Sequence, residues 1–170
     1  MNLSWWKETV DKLWEWKAIR SQRPPNTKKE IFERGSERLL RINEIYKQIH
    51  INNNREPTIR DVSWEDIKEL FRLMRDIKNT KSPVFASKLG HFLLPRVFLI
   101  IDNEATNVFN YEDLWRKLKL AWQEFNEKEN AIKILTDVIK KYNAISLHPD
   151  YPFETKILEL CMIGYKHITL

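Results

Sequence analysis

Apolar residues recur along this chain three and four positions apart and almost never in strict alternation, the pattern of helices that bury one face. Leu3, Trp6, Val10, Leu13 and Trp14 make a first stripe, with Trp5 and Trp16 at its edges, and the run around Pro24-Pro25 stops it. Thr27-Lys-Lys-Glu30 has the form of a capping box, in which the hydroxyl accepts from a helix-end N–H and the carboxylate reaches back. It predicts a second helix of about six turns carrying Ile31, Gly35, Leu39, Ile42, Ile45, Tyr46 and Ile49. Ile51 to Val62, with consecutive asparagines and Pro57, reads as a loop. Ser63-Trp-Glu-Asp66 opens a third helix with the stripe Ile67, Leu70, Phe71, Met74 and Ile77. Ser82-Pro83 pairs a cap with a proline at the first helical position, predicting a fourth helix to about Leu93, and Pro95 breaks it.

Arg96 to Ile101 is a short apolar connector rich in β-branched residues, and Asp102 reads as the cap of a short helix. Asn110-Tyr-Glu-Asp113 caps another helix reaching about Glu127. Asn130 to Asn143 is expected to be helical with Ile132, Leu135, Val138 and Ile139 inward. Tyr151-Pro152 starts the last helix, carrying Phe153, Ile157, Leu160 and Cys161. The expected fold is all-α: one globular domain over residues 1–170, with about seven to nine helices and short loops. A Trp-rich helix fills 1–24, and a helical core spans 27–170 with the candidate site around 79–107.

Composition narrows the chemistry. A chain of 170 residues can bury a core of its own without metal or disulfide. Three glycines argue against Gly-rich phosphate loops and Rossmann turns. The single cysteine, Cys161, excludes an internal disulfide, and the four histidines show no metal-ligand spacing, so neither metal nor cofactor is expected. The longest apolar run, Val97 to Ile101, is far too short to span a membrane, and the charged N-terminus does not resemble a signal peptide, so a cytoplasmic location is expected. The net charge of +5 arises in residues 1–60, where 13 Lys/Arg face 8 Asp/Glu; the rest of the chain is balanced. That asymmetry is consistent both with a phosphate-binding face and with ordinary solvated lysines.

Candidate chemistry concentrates in Ser82 to Asn107. Ser87, Lys88 and His91 share one side of the fourth helix. The apolar connector then delivers Asp102 fourteen residues after Lys88. A lysine early in the second helix of a helix–hairpin–helix unit, followed by an apolar connector ending in Asp, resembles the helix-hairpin-helix DNA glycosylases, with the 8-oxoguanine glycosylase branch nearest. The pattern Ser87-Lys88-x-x-His91-Phe92-x-x-Pro95-x-x-Phe98 and the C-terminal YPFETKILELCMIG are also similar to those of bacterial proteins grouped with these glycosylases.

The resemblance implies a DNA partner, Lys88 as nucleophile at a flipped nucleotide, and Asp102 assisting at the sugar. It places Ser87, His91 and Lys81 as substrate contacts. The hairpin departs from the family pattern, because Asn79-Thr-Lys-Ser82-Pro83 contains no glycine. The alternative is a non-catalytic helical module that binds nucleic acid or protein. Trp5, Trp6, Trp14 and Trp16 read as core and interface, which makes the first helix a candidate surface for a homo-oligomer. Lys156 and Glu159, three apart, read as a surface ion pair.

Overall fold

A computed structural model describes residues 1–19, 24–53, 56–102, 110–142 and 147–168. They form α1 (Leu3–Glu15), α2 (Lys28–Asn53), α3 (Trp64–Arg75), α4 (Pro83–Leu93), α5 (Tyr111–Glu124), α6 (Lys128–Tyr142) and α7 (Phe153–Ile168), with no strand among the described residues. The fold is all-α.

The helix starts fall where cap chemistry places them. Thr27 and Glu30 close their box at 3.0 and 3.3 Å, and Ser63 and Asp66 close a second one at the start of α3. The Ser82 hydroxyl accepts from Phe85 N–H ahead of Pro83, and the Asn110 side chain accepts from the N–H groups of Glu112 and Asp113. α1 packs on α2 and α4, α2 on α3, and α3 on α4 and α5; α7 rests on α5, and α6 on α7. At the crossing of α1 and α2, Trp6 lies against Gly35, where a Cβ would stand 2.0 Å from the indole, and its Nε1–H donates to Phe32 O at 2.9 Å. Only a residue without a side chain permits that approach.

Several sequence expectations are corrected. α1, expected to fill 1–24, stops at Glu15, with Lys17 left-handed just beyond it; α2 runs on to Asn53 before the loop begins, and α5 stops at Glu124, where Phe125 turns extended. Leu3, Val138, Leu160 and Cys161 are exposed rather than inward. Each is apolar at helical spacing, and in each case no neighbouring helix reaches it. The short helix expected after Asp102 falls on 103–109, outside the described residues.

Candidate functional site

α4 is the most enclosed helix of the fold, with every residue from Phe85 to Gly90 buried. α3 and α1 cover part of it, and the connector after Pro95 folds back across the rest. Gly90 makes that return possible: a Cβ there would stand 2.6 Å from Cγ of Phe98. Val97, Phe98, Leu99 and Ile101 are thus buried in a segment that is neither helix nor strand.

A buried backbone needs a partner for each N–H and C=O. Side chains from three helices supply many of them. Thr155 Oγ1 donates to Pro95 O at 2.8 Å, Trp115 Nε1 to Val97 O at 2.9 Å, and the Tyr111 hydroxyl to Leu99 O at 2.8 Å. Ile100 N–H donates to Glu159 Oε1 at 2.7 Å, and Ile101 N–H to the Ser87 hydroxyl at 3.2 Å. His91 Nδ1 lies 3.3 Å from Phe98 O, as a donor. The connector therefore has one path, and its last described residue is Asp102.

That path brings Asp102 Oδ2 to 3.7 Å from Lys88 Nζ. The Lys88 side chain is only 7% exposed and that of Asp102 is 40% exposed, so the pair is approached from the aspartate side. The indole of Trp16 covers the ammonium at 5.3 Å, a cation–π distance. Trp16 is presented just beyond α1, before Lys17 turns left-handed at φ 55, and it meets Phe92 edge-on at 5.6 Å. Both aromatic side chains are partly exposed.

The substrate contacts implied by the resemblance separate into three situations. Ser87 is fully buried; its hydroxyl donates to Val84 O and accepts from Ile101 N–H, so it holds the connector instead of facing a ligand. His91 is also a tie. Burial, and then the nearby charge of Lys156, pull its imidazole down to about 4, so it is neutral at pH 7 and carries no charge for a phosphate. Lys81 stands apart from the pair, exposed in the turn before α4.

Lys81 instead lines a groove of about 480 Å³ with Lys68, Arg72 and Arg75 of α3. Two carboxylates on the same groove are engaged by arginines: Glu69 by a bidentate Arg41 at 3.0 Å, and Glu112 by Arg116 at 2.7 Å. Phe71 and Tyr111, stacked at 4.4 Å, form part of its lining. Lys68 is in turn paired with Glu65 and Arg75 with Asp76, so the positive character of the groove rests on Arg72 and Lys81.

Sequence reasoning missed Glu159. Its ion pair with Lys156 exists at 2.8 Å, but the carboxylate is buried and also accepts from the connector. Burial pushes its pKa up, against the pull of Lys156 and the Ile100 N–H. The signal available was indirect: a buried apolar connector needs polar side chains, but nothing in its own residues says which helix provides them. Arg60 and Arg96 likewise converge on buried Glu154, at 3.2 and 3.4 Å. Among the described residues no group of three or more His, Cys, Asp or Glu side chains is placed to hold a metal, and no helix is long and apolar enough to cross a membrane. Comparison of the chain with protein-family models, with curated proteins and with solved structures gave no match.

Proposed function

We propose that the protein binds DNA and acts on an extruded nucleotide through Lys88, as a glycosylase with abasic-site lyase chemistry. The observation that carries this reading is the convergence of Lys88 and Asp102, 3.7 Å apart, with the connector between them tied down by side chains. A nucleophile and its proton acceptor need that kind of fixed relation. The groove lined by Lys68, Arg72, Arg75 and Lys81 is the surface for the phosphate backbone. From Pro83 at its edge, Lys88 is five residues on, about 7.5 Å along the helix axis.

The chemistry balances with these two side chains. The Lys88 ammonium passes one proton to the Asp102 carboxylate, freeing the amine lone pair. The amine nitrogen bonds to C1′ as the C1′–base bond breaks, and the electron pair leaves with the base, which takes the second proton from nitrogen. The nitrogen lone pair then opens the C1′–O4′ bond, and protonated Asp102 gives its proton to O4′. An iminium remains beside a carboxylate, the same pairing of charges as at the start. Trp16 must swing aside for C1′ to reach Nζ, and its partial exposure leaves it room to do so.

A second reading has its own observation in favour. Trp16 and Asp102 already satisfy the Lys88 charge, and a lysine held in that form is an anchor rather than a nucleophile. On that reading the scaffold binds nucleic acid without cutting it.

Borohydride reduction in the presence of abasic-site and oxidised-base duplexes separates the two. The first reading expects a covalent adduct that disappears in Lys88→Gln and forms about 10²- to 10⁴-fold more slowly in Asp102→Asn. Binding without an adduct, falling with salt by about 0.9 in log K per phosphate contact, supports the second. Neither adduct nor salt-sensitive binding removes both.

A further inference from the structure

α6 has no buried residue, whereas each of the helices α1 to α5 buries several. Its apolar face is wider than its neighbour covers. Ala131, Ile132 and Leu135 lean toward the core, while Ile134, Val138 and Tyr142 are 56%, 47% and 74% exposed. These three follow one another at four-residue intervals, so they form a single stripe on the outer side.

The stripe presents roughly 350 Å² of apolar surface, a large part of the apolar share of an 800 Å² contact in a stable dimer. Scattered apolar side chains on a surface require no explanation, but an aligned set of this size does.

The charges that bound the stripe indicate what covers it. Glu127 lies just ahead of α6, seven residues before Ile134, and Lys141 lies seven residues after it, within about 20° of Ile134 around the helix axis. The stripe thus has Glu127 ahead of it and Lys141 at its far end, with Asp137 about 60° to one side of Ile134, and all three charged side chains are exposed. A surface with that order complements itself when turned end for end.

We infer that two copies of the chain pair through α6, antiparallel, about a twofold axis at Ile134. In that arrangement Ile134 meets its own counterpart. Val138 of each copy lies opposite Asn130 of the other, and Glu127 faces Lys141 twice, as a closed twofold contact requires. The inference does not depend on the lysine chemistry, since α6 carries none of the candidate residues.

Sedimentation equilibrium of the full chain at tens of micromolar tests it. The expected mass is twice the 20.6 kDa of the chain. Ile134→Glu should give a monomer with unchanged far-ultraviolet circular dichroism, because the position is outside the core. Glu127→Lys should weaken the dimer about tenfold, and adding Lys141→Glu in the same chain should restore it. A monomeric wild type overturns the inference, whatever other protein might cover the face in a cell. A dimer indifferent to Ile134→Glu overturns it too, as does a charge exchange that fails to restore pairing.

Discussion

The connector from Pro95 to Asp102 and the helix α6 both present apolar side chains, and the molecule treats them in opposite ways. The connector has no secondary structure of its own, yet it is buried and its backbone groups are bonded by Ser87, His91, Tyr111, Trp115, Thr155 and Glu159. α6 satisfies its own backbone as a helix must, yet buries no side chain. Regular structure and burial are therefore separate properties, as α4, regular and enclosed, also shows. The irregular segment is the one whose position is determined from outside, and so it is the one that can hold a carboxylate against a lysine. The regular helix is free on one side, and its use lies in what covers that side.

The contrast can be broken most sharply at two glycines. Gly35 faces Trp6 in the packed half, whereas a Cβ at Gly164 of α7 would meet nothing within 4 Å. Gly35→Ala should cost about 3 kcal/mol or more, since the indole, fixed by its bond to Phe32 O, has nowhere to go. Gly164→Ala should instead add about 0.5 to 1 kcal/mol, the helix propensity gained without a clash. Urea unfolding of the two variants beside the wild type measures both. Equal effects would mean that the two halves are packed alike.

These glycines also show how far the chain could be read without its structure. Periodicity and caps placed the start of every described helix to within a few residues, because stripes and capping boxes are local, but α1 ends at Glu15, well short of the 1–24 expected. Lys88 and Asp102 were legible for the same reason: one helix and one connector lie between them. Glu159 was not, because the hydrogen bond it accepts comes from Ile100, far away in sequence, and no pattern around Glu159 announces it. The groove beside α3 was hidden for another reason. Segment charge counts cannot show that Glu69 and Glu112 are occupied by Arg41 and Arg116. The outward stripe of α6 had the spacing of a core stripe, and periodicity does not distinguish a covered face from a bare one.

A smaller effect sharpens the picture of the connector. His91 is held at about 4, below the usual 6.5 for an unfolded chain, so the unfolded state takes up the proton first as pH falls. Its contribution is complete above about pH 6.5 and is lost toward pH 4, by up to about 3 kcal/mol. Glu159 works the other way. Its raised carboxyl holds a proton more tightly when folded, so its contribution grows as pH falls through its folded value. The comparison is therefore made against His91→Gln, which keeps a donor for Phe98 O. The stability advantage of the wild type over that variant should shrink between pH 7 and pH 5. An advantage that stays constant would mean that burial does not keep the imidazole neutral.

The smallest expected effect concerns the turn before α4. Lys81 has φ 49, and Lys17, beside Trp16, has φ 55; neither is glycine, and no glycine among the described residues takes a positive φ. The scarcity of glycine therefore did not mean an absence of left-handed turns. It meant that two lysines take that conformation, at a cost of about 1 kcal/mol each. Lys81→Gly should relieve that strain and, after the entropy of a freer unfolded chain, stabilise the protein by about 0.5 kcal/mol. The same substitution removes one cation from the groove. If the groove carries the phosphate backbone, the slope of log K for DNA against log salt should drop by about 0.9 while the fold becomes slightly more stable. Stability and affinity moving in opposite directions at one residue is an outcome that a groove without a ligand cannot produce, since there the slope would not change.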